Sequence, residues 1–65
     1  MKICVIGAGR WGRNHIQTLS NLGNLGGIVE SQTTILGEFG KTYPEAQLFE
    51  NLDEAIKNDF DGYVL

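Results

Sequence analysis

Three glycines at fixed spacing, Gly7, Gly9 and Gly12 in the run Gly7-Ala8-Gly9-Arg10-Trp11-Gly12, offer the clearest chemistry in this 65-residue chain. They follow an apolar β-prone run, Ile3 to Ile6, and precede a segment with Ile16, Leu19 and Leu22 at helical spacing. A strand, a glycine-rich turn and a helix in that order open a dinucleotide-binding βαβ unit. Each glycine has a separate task. Gly7 turns the chain off the strand, Gly9 admits a pyrophosphate where a Cβ would block it, and Gly12 lets helix and strand pack closely. The free N–H groups around Arg10, Trp11 and Gly12 then face the anion at the positive end of the helix dipole. The bland alternative is a generic tight turn.

A second group belongs to the same chemistry. Glu30 lies 23 positions after Gly7 and 18 after Gly12, about where a carboxylate accepts hydrogen bonds from the adenosine ribose. A carboxylate there repels a 2′-phosphate, and Ser31, Gln32 and Thr33 supply no arginine to receive one. NAD is therefore expected over NADP. The expected cofactor-binding residues are Gly7, Ala8, Gly9, Arg10, Trp11, Gly12 and Glu30. At Arg10 and Trp11 the backbone N–H groups are the expected donors, the side chains covering the cofactor or facing solvent.

Other reactive side chains have simpler readings. His15, one turn into the first helix, is expected to be a structural histidine bonded against the loop or sheet. Asp53, Glu54, Asp59 and Asp61 read as caps and turns. Cys4 falls inside the first strand and reads as a small buried apolar residue. No nucleophile arrangement and no metal-ligand spacing is present, so the expected catalytic and metal residues are none.

The elements that must position these groups form an α/β pattern. Strands are expected over Lys2 to Ile6, Leu25 to Val29, Gln47 to Phe49 and Tyr63 to Leu65. The first helix runs from Arg10 to near Leu22 with Gly23 as its C-terminal cap. The second is capped by Ser31, buries Ile35, Leu36, Phe39 and Tyr43, and ends before Pro44. The third is opened by the Asn51/Glu54 capping pair and runs to Lys57, with Leu52, Ala55 and Ile56 inward. Gly26 and Gly27 are read as allowing a neighbour to approach the second strand, and Tyr63 as a core residue of the fourth. The fold class is a partial Rossmann sheet, doubly wound and parallel, in strand order 3-2-1-4. Residues 1–65 form one domain that stops short of the strands completing such a sheet, and read as an amino-terminal piece of a longer protein.

Composition narrows the partners. The net charge is −3 and the five basic residues are scattered, which gives no footprint for nucleic acid. No apolar run reaches a membrane span and no signal region opens the chain. A single cysteine suits a cytoplasmic, reducing setting.

With the elements placed, the sequence resembles the amino-terminal domain of the Gfo/Idh/MocA oxidoreductases, the glucose–fructose oxidoreductase and inositol dehydrogenase family. The matching residues are Lys2-Ile3, Val5 through Gly12, His15, Glu30 and the Asp61-Gly62-Tyr63-Val64-Leu65 run. The resemblance implies an NAD(P)-dependent dehydrogenase acting on a sugar, cyclitol or related hydroxyl compound. It also implies a second domain that carries substrate and the interface of a homo-oligomer. The family's catalytic lysine segment matches nothing in this sequence. Two alternatives share the glycines: a regulatory nucleotide-binding module without catalysis, and the FAD-binding domain of a flavoprotein. His15 with the aspartate before strand four speaks against the first. The lack of a glycine doublet or an arginine after Glu30 speaks against the second.

Overall fold

A computed structural model describes residues 1–7 and 10–65, with Arg10 and Trp11 as backbone only. Its elements are β1 (Ile3–Ile6), α1 (Arg10–Asn21), β2 (Leu25–Val29), α2 (Thr33–Thr42), β3 (Gln47–Phe49), α3 (Leu52–Ile56) and β4 (Gly62–Val64). The four strands form one sheet in the order β3-β2-β1-β4, and every pairing is parallel. The expected α/β class and strand order are therefore found, compatible with a Rossmann-like sheet.

Alternation along the central strands divides the core into two layers. Val5 and Ile28 pack with Ile16 of α1 and with Leu36 and Phe39 of α2. Cys4 and Val29 pack on the other face with Ala55 of α3, flanked by Ile6, Phe49 and Phe60. Helices α1 and α2 thus cover one face and α3 the other. This arrangement lets β1 and β2 be apolar on both sides.

The strand pairing contains one irregularity. Ile3 pairs with Leu25 but Cys4 pairs with Gly27, which leaves Gly26 as an extra residue on β2. Both Gly26 and Gly27 then lie under the Phe60 ring. A Cβ on Gly26 would stand 3.0 Å from Phe60 Cδ1, and one on Gly27 would stand 2.7 Å from Phe60 Cζ. The neighbour for which the two glycines leave room is this ring. Phe60 in turn meets Phe49 and Tyr63 edge-on, with centroids 5.9 Å and 6.0 Å away.

The end of α1 follows from its sequence. Gly23 takes φ +75°. Its N–H donates to the Ser20 carbonyl, and the Asn24 N–H donates to the Leu19 carbonyl. This paired arrangement is the Schellman closure, which needs a left-handed residue after the helix. Leu22 falls outside α1 and is exposed, so the inward stripe ends at Leu19 and excludes Leu22.

Three further expectations are corrected. Ser31 does not cap α2: the cap is Gln32, with no side-chain cap bond, and Ser31 lies one residue too early. Leu52 and Ile56 are exposed, because a helix of five residues presents little more than one position inward, and Ala55 takes it. Tyr63 is 41% exposed, since it lies on the edge strand β4. Its hydroxyl donates to the Asn58 carbonyl. The Asn51 cap is found as expected, its Oδ1 accepting from the Glu54 N–H at 2.9 Å.

Cys4 is fully buried, and burial pushes its thiol up to about 11, above the ~8.5 of an exposed cysteine. The folded chain therefore holds this proton where the unfolded chain releases it. Stability contributed by the buried thiol is complete below pH ~8.5 and is lost as pH rises through the folded value. Two outcomes are expected. Alkylation at pH 8 proceeds only through opening of the fold, and the urea midpoint falls from about pH 9 to pH 11 in the wild type but not in Cys4→Ala. Rapid alkylation of the folded chain at pH 8 would contradict this burial.

Candidate functional site

The glycine turn follows β1. Gly7 takes φ +81°, a left-handed conformation that a side chain disfavours. Its N–H donates to the Val29 carbonyl at 2.9 Å, which ties the turn to the residue before Glu30. Five residues on, Gly12 is buried in the first turns of α1, and a Cβ there would collide with the carbonyl oxygen of Gly7. Two of the three glycines therefore have the geometry their spacing predicts. One turns the chain left-handed, and the other lets α1 descend onto the turn. Ala8 and Gly9 lie outside the described residues, as do the side chains of Arg10 and Trp11.

Glu30 closes β2 beside this turn. Its backbone N–H donates to the Phe49 carbonyl at 3.0 Å, fixing it between β2 and the end of β3. Its carboxylate accepts from the Gln32 N–H at 2.8 Å and the residue is half-buried. A carboxylate held by a backbone amide two residues on is positioned in advance. The Gln32 amide is a positioning group that was not expected from the sequence. Nothing in residue type marks a backbone donor in advance.

The other candidates lie elsewhere. His15 is exposed on α1 and makes no hydrogen bond among the described residues, contrary to the expected structural role. Its place on the helix turns it away from the Ile16 stripe. Asp61 ties the sheet together: its carboxylate accepts from the Lys2 N–H at 2.6 Å, and its own N–H donates to the Lys2 carbonyl at 2.8 Å. This double contact fixes the entry of β4 beside β1. Glu54 supplies the backbone N–H that the Asn51 cap accepts, and its carboxylate pairs loosely with Lys57 at 3.8 Å, both side chains exposed. The carboxylates thus do other work than the cap and turn roles expected of them: Asp61 joins β4 to β1, and Glu54 enters the cap through its backbone N–H alone. Among the described residues no group of His, Cys, Asp and Glu could hold a metal, and no helix is long and apolar enough to cross a membrane.

No protein-family model matches the chain, and neither do the curated proteins or the solved structures with which it was compared.

Proposed function

We propose that this chain is the cofactor-binding part of an NAD-dependent oxidoreductase acting on a sugar, cyclitol or related hydroxyl compound. The observation that carries the cofactor half of the reading is the contact between Gly12 and the Gly7 carbonyl. Space for a Cβ has been given up where a helix N-terminus meets a left-handed turn, the arrangement by which backbone amides approach a diphosphate. The substrate half rests on the family resemblance alone. NAD, when bound, supplies a hydride acceptor at the nicotinamide ring.

The residues of this chain have binding roles. The segment from Gly7 to Gly12 turns the backbone and presents N–H groups to the diphosphate. Glu30, oriented by the Gln32 amide, accepts from the adenosine ribose and opposes a 2′-phosphate through like charge. No residue of the chain is assigned to proton or hydride transfer. In this reading the 65 residues bind adenine nucleotides weakly and turn over no sugar.

Glu30→Gln tests the assignment. Removing a charge-assisted hydrogen bond costs ~1.5–3 kcal/mol, so NAD affinity measured by calorimetry should fall at least about tenfold. NADP affinity should hold or rise, since the repulsion is gone. Unchanged affinity for both nucleotides would remove Glu30 from the site.

A further inference from the structure

A second constellation lies on the outer side of the α1/α2 layer. Arg13 and Gln17 of α1 face Glu38, Phe39 and Thr42 of α2, with Tyr43 just beyond, across a cavity of about 210 Å³. The floor is aromatic. Phe39 and Tyr43 stack with centroids 6.2 Å apart, and the Arg13 guanidinium carbon lies 5.5 Å from the Phe39 centroid. The guanidinium lies over the ring, and an acceptor in the groove can take its N–H groups. Among the described residues neither Arg13 nor Glu38 belongs to an ion pair, and the pair that is formed joins Glu54 and Lys57. One groove thus holds a stacked cation, a carboxylate and two rings, with the charges not neutralising each other.

That combination selects its ligand by exclusion. A dicarboxylate or phosphate would meet Glu38, and a simple amine would meet Arg13. At about 210 Å³ the groove is smaller than the ~300–1,000 Å³ of ordinary ligand pockets, which suits a small ligand. A zwitterion satisfies both charges at once, its carboxylate on the Arg13 fork and its ammonium on Glu38. The rings cover an apolar side chain.

We propose that the α1/α2 groove binds a free α-amino acid with an apolar or aromatic side chain. The groove shares none of its lining residues with the glycine turn or Glu30, so the proposal stands apart from the NAD reading. The groove is open to solvent and its charges are screened, which places the dissociation constant on the order of 1 mM.

The test is a titration of the ¹⁵N-labelled chain, without nucleotide, followed by amide shifts. L-Phenylalanine should give saturable shifts centred on Arg13, Gln17 and residues 38–43. N-Acetyl-phenylalanine lacks the ammonium and phenylalanine amide lacks the carboxylate, and each should bind at least about fivefold more weakly. Arg13→Gln should erase the difference between phenylalanine and its amide. Glu38→Gln should erase the difference between phenylalanine and its acetyl derivative. The proposal is overturned if no saturable shift appears by 20 mM, or if the amide or acetyl derivative binds as well as the free amino acid. Equal binding by the free amino acid, its amide and its acetyl derivative would mean capture of apolar groups, with no recognition of a zwitterion.

Discussion

Gly12→Ala is expected to lower the melting temperature by about 10–20 °C and to abolish saturable NAD binding, although alanine is the better helix former. In an exposed helix interior the exchange stabilises by up to ~1 kcal/mol. At Gly12 the new methyl would overlap the Gly7 carbonyl, a backbone atom held in place by the Gly7 N–H bond to Val29. Neither partner has a rotamer to change, so the helix must lift off the sheet or the turn must open. Overpacking of this kind costs ~1–3 kcal/mol, and more where backbone must move. A domain of this size has only ~3–10 kcal/mol in total, and each kcal/mol shifts the midpoint by ~4–8 °C. Gly37 of α2 provides the control, because nothing lies within 4 Å of a Cβ built there. Gly37→Ala should raise the midpoint by a few degrees. Calorimetry of the two variants reads the contrast directly. A Gly12→Ala chain as stable as wild type would mean that α1 does not sit on the turn.

The second large effect lies on the opposite face. Gly27→Ala would place a methyl 2.7 Å from Phe60 Cζ, 3.1 Å from Phe49 Cε2 and 3.3 Å from Cys4 Sγ. Two of these atoms belong to rings locked edge to face, and Cys4 is fully buried. We expect a loss of ~2 kcal/mol for Gly27→Ala. Phe60→Ala should lose ~2–3 kcal/mol, less than a fully buried phenylalanine because Phe60 is half-buried. The double variant is the informative one. With the ring gone the methyl occupies the vacated space, so the two losses should fall short of additive by at least ~1 kcal/mol in urea unfolding. Additivity within ~0.5 kcal/mol would show that Phe60 does not pack over the glycine pair.

Much of this was legible because two periods dominate the chain. The apolar run at Ile3–Ile6 and the 3.6-residue spacing through Ile16 and Leu19 leave little freedom over which segment is strand and which is helix. The turn was legible for a different reason: glycine at positions 7 and 12 is costly unless backbone geometry requires it. Two of the failures depend on contacts distant in sequence. Gly26 is an extra residue in β2 and lies under Phe60, which is far along the chain. Tyr63 has the composition of a core residue, and its exposure follows from β4 being an edge. Ser31 was expected to open α2, but the cap falls one residue later on Gln32, whose N–H the Glu30 carboxylate accepts, a local contact. At the candidate site, the turn and the acid could be read from residue type and spacing. The amide that orients the acid could not. The stacking of Arg13 on Phe39 was equally hidden, since it joins two helices whose spacing in the sequence carries no charge or size signal.

The central claim is that a diphosphate rests on the backbone between Gly7 and Gly12 while Glu30 holds the adjoining ribose. A crystal structure of the protein soaked with NAD tests it most directly. The account predicts diphosphate density against the amides that open α1 and both adenosine ribose hydroxyls within hydrogen-bond distance of the Glu30 carboxylate. Side chains filling that bend, or a Glu30 carboxylate directed away from the nucleotide, would contradict it.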